Sequence, residues 1–394
     1  MASIDIVELL WILFQLLVGY NLVLPVLLLL LYLLLGNKKG KPASVGGREA
    51  DYAIIVTAYE QTQLLQGVVR SLLQLHYSNY LIYIVADKCD VTNLVFEDER
   101  VIVLRPEETL ASNTRSHFYA INRFRRQHER LAIIDSDNIT DPEFLLRLNE
   151  YFDLGFEAVQ GLRAAKNLDT MYACLDGARD IYYHFYDGKV LFSIGSSATL
   201  SGSGMAFSVQ LYKDCLGHLD ITGAGFDKIL QRQIVNKGYR IAFAEKAILY
   251  DEKTSQSDQL VSQRARWINT WFRYFSFGFG LIGKGLVRFN FNQFLFGLIL
   301  LRPPLFIFLL ISVGCMFLNL LINPLVSLIW LAGLLLFVAG FILSLWMNHT
   351  DPRIYRSLWG IPKFIFFQVL SLLKVKNANQ RSVATKHFHA DKVD

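Results

Sequence analysis

Leu131-Ala132-Ile133-Ile134-Asp135-Ser136-Asp137 decides the reading of this chain. An uninterrupted apolar run marks a buried strand of the kind found in parallel sheets. The acids that follow stand at its carboxyl end, where such sheets bind ligands. Residues two apart in extended backbone project to one side, so Asp135 and Asp137 can face one divalent ion and the diphosphate it carries. Asp-x-Asp alone is equally at home in a solvated turn or a helix cap. The buried strand before it, and Asp87 at the end of a neighbouring strand, favour a site.

Outward from this stretch, short β-rich runs alternate with amphipathic helices from residue 51 to about 245. That alternation predicts an α/β domain with a largely parallel sheet. Strands are expected at 52–56, 81–86, 101–104, 131–134 and 158–160, with helices near 64–75, 112–127 and 141–152. Thr57-Ala58-Tyr59-Glu60, Asp87 and Asp135 then fall at strand ends. Asp87 could accept hydrogen bonds from a base or ribose, or cap a turn. Gly202-Ser203-Gly204 lacks the third glycine of a dinucleotide fingerprint, and no Gly-x-x-x-x-Gly-Lys loop exists. Its glycines suit close approach of a sugar or acceptor to the backbone.

Gln263, Arg266 and Trp267 are spaced to share one helix face, an aromatic surface for a sugar ring beside donors for phosphate or hydroxyl oxygens. The same residues would also suit an interfacial helix, and the aromatics from Trp271 to Phe279 extend that surface. Asp227 opens an expected helix over 227–237, where it could serve as a base or complement the helix dipole.

Composition puts part of the chain in lipid: 53% of its 394 residues are hydrophobic and 19% charged, with a mean hydropathy of +0.32. Residues 6–35 form an apolar run with Asp5 and Glu8 at its start, too long and too acidic before it for a signal peptide. Runs at 305–322 and 325–347, separated by Asn323-Pro324, read as a hairpin of two further spans. Arg302 precedes them at the expected lipid boundary. Lys38, Lys39, Lys41 and Arg48 follow the first span, and Arg353, Arg356, Lys363, Lys374 and Lys376 follow the last, so both flanks and the block between belong on the cytoplasmic side. The net charge of +5 fits topology and anionic lipid better than nucleic acid. Four cysteines without paired metal spacing read as structural thiols in a reducing compartment.

Taken in order, Thr57-Ala58-Tyr59-Glu60, Val85-Ala86-Asp87, Asp135-Ser136-Asp137, Gly202-Ser203-Gly204, Phe226-Asp227 and Gln263-Arg264-Ala265-Arg266-Trp267 resemble the membrane-bound family 2 glycosyltransferases, the group of cellulose, hyaluronan and poly-N-acetylglucosamine synthases. The resemblance implies a GT-A-like domain with a mostly parallel mixed sheet, Mg2+ or Mn2+, a UDP-sugar donor (UDP-GlcNAc or UDP-glucose) and inversion at the anomeric carbon. It places Thr57, Tyr59, Glu60, Asp87, Asp135 and Arg266 at the nucleotide, Asp135 and Asp137 at the metal, and Asp227 as general base. Gly202, Ser203, Gly204, Gln263, Arg264 and Trp267 would meet the acceptor or product. Gly225-Phe226-Asp227 departs from the commoner Thr-Glu-Asp, and Arg115-Ser116-His117 stands where relatives carry a lysine, which makes Arg115 and His117 candidates for the phosphates.

The expected organisation is a transmembrane helix at 1–35, a cytoplasmic GT-A-like domain at 48–262, the Gln-x-x-Arg-Trp and interfacial helices at 263–302, two transmembrane helices at 303–347, and an interfacial segment and tail at 348–394 with His387 and His389. The leading functional expectation is a multi-pass enzyme of the cell membrane that extends a β-linked polysaccharide or oligosaccharide, with a second copy or a companion subunit completing a channel. The alternatives are one sugar added to a lipid acceptor, and a silent nucleotide-sugar sensor or scaffold.

Overall fold

The computed structural model describes residues 5–35, 48–92, 94–376 and 378. The expected basic linker at 36–47, with Lys38, Lys39 and Lys41, and the tail histidines His387 and His389 lie outside the described residues.

One eight-stranded sheet organises residues 52–251, in the order β3-β2-β1-β4-β7-β6-β8-β5. Its strands are β1 (Tyr52–Tyr59), β2 (Tyr80–Asp87), β3 (Val101–Leu104), β4 (Arg130–Asp135), β5 (Ile139–Thr140), β6 (Ala158–Ala165), β7 (Met205–Ser208) and β8 (Ile241–Asp251). β3, β2, β1 and β4 run parallel. β7 is antiparallel to both β4 and β6, and β8 is parallel to β6, so β6 and β8 regain the direction of β4. The carboxyl ends of β2, β1, β4, β6 and β8 therefore open on one edge. Register is specific there: Tyr59 stands beside Asp87, and Thr57 beside Asp135.

The helices are α1 (Ile6–Leu35), α2 (Leu65–Leu73), α3 (Asn113–Ile121), α4 (Phe144–Asp153), α5 (Met171–Tyr183), α6 (Leu191–Ser193), α7 (Val209–Leu216), α8 (Phe226–Asn236), α9 (Ser257–Tyr274), α10 (Phe277–Val287), α11 (Phe291–Leu301), α12 (Leu305–Ile322), α13 (Pro324–Met347), α14 (Pro352–Ser357) and α15 (Ile361–Leu372). A π-helical turn, His184–Val190, links α5 to α6. α3 ends well short of the expected residue 127. The Tyr83 hydroxyl accepts from the Arg125 amide, and Phe124 and His128 pack on the Tyr83 ring, which draws the chain off the helix axis.

The sheet is apolar on both faces, as a covered parallel sheet must be. Ile54, Val56, Ile82, Ile84, Ala132 and Ile134 pack on one side with α2 and α4. Ile55, Val85, Leu131 and Ile133 pack on the other, in a core that continues through Tyr182 and Phe296 into Leu22 of α1, Trp330 and Phe337. Among the described residues α1, α12 and α13 are long and apolar enough to cross a membrane. Polar groups clamp them: Gln15 Oε1 accepts from Asn319 Nδ2 at 2.7 Å and from Trp330 Nε1 at 2.8 Å.

Arg302 departs from the expectation of a lipid-boundary residue. It is buried, donating from Nη1 to Asp187 Oδ1 and from Nη2 to the Tyr182 hydroxyl, both at 2.8 Å. Two of its three nitrogens are paired, with the π-helical turn and with α5, which anchors it inside the protein.

Candidate active site

A cavity of about 670 Å³ opens at the carboxyl edge of the sheet. Thr57, Tyr59, Asp135 and Asp137 line its strand end, Asp227 its flank, and Gln263, Arg266 and Trp267 the wall made by α9. It continues past Tyr274, Phe275 and Phe277 to Pro303, Pro304, Leu305 and Phe306 at the start of α12. Its volume lies within the range of about 300 to 1,000 Å³ usual for ligand sites.

The Asp135 turn is held from behind. Ser203 Oγ accepts from the Asp135 amide at 3.0 Å and donates to Asn138 Oδ1 at 2.5 Å. Asn138 Nδ2 donates to Asp137 Oδ1 at 3.2 Å and to Asp251 Oδ1 at 3.1 Å. Ser203 is fully buried, so it braces the two carboxylates, whereas Gly202, at φ +90° with open space where a Cβ would lie, borders the cavity. Gly204, at φ +65°, starts the return into β7.

Asp227 lies in the first turn of α8, with Lys228 Nζ 3.0 Å from its Oδ2. The residue before α8 has to be glycine. Gly225 adopts φ +101°, and a Cβ there would stand 2.7 Å from both Thr270 Cγ2 and a Tyr274 ring carbon. α8 is also fastened to the glycine loop, since Gln231 Oε1 accepts from the Leu200 amide at 3.0 Å.

Several sequence expectations meet a different geometry. Asp87 is 2% exposed and is not among the described residues lining the cavity. Its Oδ1 accepts from the Leu110 amide at 2.9 Å and its Oδ2 from the Ala111 amide at 2.7 Å, so it holds a loop in which Ala111 takes φ +45°. Glu60 pairs with Lys88 at 2.7 Å outside the cavity wall. Arg115 and His117 are not among the described residues lining the cavity. Arg115 grips Asp220 at 2.7 Å, and His117 is fully buried with Nδ1 2.7 Å from the Tyr212 hydroxyl, its pKa pushed down by burial to about 3.

Arg264 also borders the cavity, with its guanidinium against the Trp267 ring and its carboxylate partner on α5. It is buried against Asp176, and burial first, then the neighbouring Arg179 charge, pushes its pKa down to about 10. Gln263 Oε1 accepts from the Thr254 hydroxyl at 2.8 Å.

Sequence reasoning missed a chain of alternating charges in the cavity wall: Arg163, Asp251, Lys253, Asp180, Arg179, Asp176 and Arg264. Burial would raise Asp251, but Arg163 and Lys253 hold it down at about 2. Asp176-x-x-Arg179 has the spacing of an ordinary helix-surface pair. The available signal was that charged residues also stand near the carboxyl ends of β6 and β8, at Arg163 and Asp251.

No curated protein matches the sequence. Among solved structures, the mannosyltransferase PcManGT from Pyrobaculum calidifontis, in complex with GDP-Man and Mn2+, superposes with a TM-score of 0.54 at 15% identity, covering 90% of this chain and 98% of its own. That likeness extends to the fold. S. aureus TarS 1-349 in complex with UDP-GlcNAc matches at a TM-score of 0.39 and 18% identity, over 52% of this chain and 59% of that one. The sequence model of "Glycosyltransferase like family 2" matches residues 50–270, more than half of the chain and every strand of the sheet. The protein therefore belongs to glycosyltransferase-like family 2.

Proposed function

We propose that the protein is an inverting, metal-dependent glycosyltransferase that moves a sugar from a nucleotide-diphosphate donor to a hydroxyl of a lipid-borne acceptor. The observation that carries this reading is the single cavity running from Asp135 and Asp137, past Asp227, to the proline and aromatic edge of α12. The donor diphosphate lies at the strand ends, near Thr57, Tyr59 and Arg266. The donor expectation remains a UDP-sugar; GDP-Man in the complex of PcManGT makes guanosine donors part of any test.

The carboxylates of Asp135 and Asp137 are hard oxygen donors on the cavity wall, held in place from behind, and would hold a Mg2+ or Mn2+ ion. Such an ion supplies neutralisation of the charge on the leaving diphosphate. In the transfer the acceptor oxygen bonds to the anomeric carbon, the bond from that carbon to the diphosphate oxygen breaks, and Asp227 takes the acceptor proton. Trp267 offers a ring face to the acceptor.

Polymer extension is the weaker reading for one copy of this chain. The polar side chains of α12 and α13 are spent inside the protein: Ser312 on Phe308, Ser327 on Met316, Ser344 on Phe341, and Asn319 on Gln15. A polysaccharide crossing lipid needs partners for its hydroxyls, which would have to come from a second copy or another subunit. The basic residues after α13 support a cytoplasmic catalytic face.

The test is nucleoside diphosphate release by the full chain in lipid nanodiscs, across UDP- and GDP-sugars with Mg2+ or Mn2+. Turnover with one donor is expected, abolished by chelation and reduced by at least about 10²-fold in Asp227→Asn. Parent-like turnover in that variant would remove Asp227 from the chemistry.

A further inference from the structure

Trp267 is 39% exposed, so packing alone does not fix its ring. Two guanidiniums touch it: Arg264 Cζ lies 4.0 Å and Arg179 Cζ 4.1 Å from the ring centroid, well inside the roughly 6 Å over which a cation is drawn to an indole face. Both guanidiniums pair with the same atom, Asp176 Oδ1, Arg179 at 3.2 Å. Asp176 is 3% exposed on α5, and neither the nucleotide motifs nor the base involve it. Arg264 Nε and Nη1 and Arg179 Nε find no oxygen among the described residues, which leaves an electron-rich ring as the group that offsets them.

We infer that Asp176 is a positioning residue for Trp267: its single carboxylate draws Arg264 of α9 and Arg179 of α5 together, and the two cations set the indole in the cavity wall. The consequence for acceptor affinity rests on the acceptor role of Trp267 proposed above. The position of the ring itself does not.

The full chain labelled with 5-fluorotryptophan in nanodiscs gives a direct readout. It has six tryptophans, and Trp267→Phe identifies the resonance of Trp267. Asp176→Asn is expected to shift or broaden that 19F resonance while those of Trp330 and Trp346 on α13 hold. If Asp176→Asn does not fold, Arg179→Gln serves. It removes one of the two guanidiniums and leaves Arg163, Lys253 and Arg264 balanced by Asp251, Asp180 and Asp176. A Trp267 resonance unmoved in either folded variant overturns the inference. With octyl β-D-glucoside as acceptor probe, the same variants are expected to raise acceptor KM by roughly tenfold or more with donor KM holding, as for a displaced binding group. A moved resonance without a change in acceptor KM leaves the positioning standing and removes the acceptor role of Trp267 instead.

Discussion

Replacing Gly225 with alanine puts the placement of the base under test. Gly225 ends the loop before α8 at φ +101°, and the added Cβ would meet Thr270 Cγ2 and the Tyr274 ring at 2.7 Å each. Carbon atoms settle at about 3.5 to 4.0 Å, so the overlap is roughly 1 Å on two sides. A left-handed alanine adds about 1–2 kcal/mol of its own. Both obstructing side chains belong to α9, the helix that carries Gln263, Arg266 and Trp267. Relief therefore comes from parting α8 and α9, which moves Asp227 relative to the acceptor wall by a fraction of an ångström to 1 Å. Misplacement on that scale costs about 10²-fold in rate. Saturating-donor turnover in nanodiscs should fall by that order. Donor KM should change less than turnover, because Thr57, Tyr59 and Asp135 stand on β1 and β4, away from the clash, and of the proposed donor contacts only Arg266 rides on α9. Thr270→Ser deletes the Cγ2 methyl and should restore part of the loss in the double variant. Parent-like turnover in Gly225→Ala, with an unchanged unfolding temperature, would refute the claim that the start of α8 sits in the reacting geometry.

Arg302→Met leaves Asp187 buried without its cation and should cost about 3–5 kcal/mol of stability by thermal unfolding. Adding Asp187→Asn should recover much of it, and equal losses in the single and double variants would show that the pair does not couple the spans to the π-helical turn. Stability should also fall with acid. Burial pushes His117 to about 3 and His184 to about 4, against 6.5 unfolded, so the unfolded chain takes up protons first as pH drops. The stability these buried neutral rings permit is complete above pH 6.5 and erodes below it, by about 2 kcal/mol each at pH 5. The unfolding temperature should decline from pH 7 to 5 and decline less in His117→Gln; parallel slopes would clear His117 of the effect.

The first four parallel strands were legible because burial on both faces leaves an unbroken apolar run, as at Ile54 to Val56 and Leu131 to Ile134. β7 was not, since Met205–Ser208 is four residues long and follows a glycine-rich turn. β8 was hidden by its own irregularity. The register jumps from Ala244 to Ile248 opposite Gly161 and Leu162, so Glu245 and Lys246 interrupt the pattern of a strand that runs on to Asp251. At the site, Asp135, Asp137, Asp227, Gln263, Arg266 and Trp267 line one cavity, because strand-end and helix-face placement follow from local periodicity. Side-chain partners do not. Asp87, open in the sequence between a ligand contact and a turn cap, takes two backbone amides 23 and 24 residues away. Ser203 was expected at the acceptor and holds the Asp135 turn. The buried charges were invisible for the same reason: Arg264 meets Asp176 from 88 residues away.

The polar arrangement also bears on how an acceptor reaches Asp227. Buried ions persist only where each has a partner, and the chain from Arg163 to Arg264 forms a fixed wall on one side of the cavity. At the other end, Pro303 and Pro304 cannot donate backbone hydrogen bonds, and Leu305 and Phe306 are apolar, so this end of the cavity offers little to a sugar hydroxyl leaving water. It suits an aliphatic chain. With the hydrogen-bonding groups of α12 and α13 spent internally, a lipid tail gains contact there without displacing a partner. On the reading proposed here the acceptor keeps its tail at that edge and extends only its headgroup past Trp267 to Asp227. The product then leaves along the path by which the acceptor came, on the same face of the membrane as the donor.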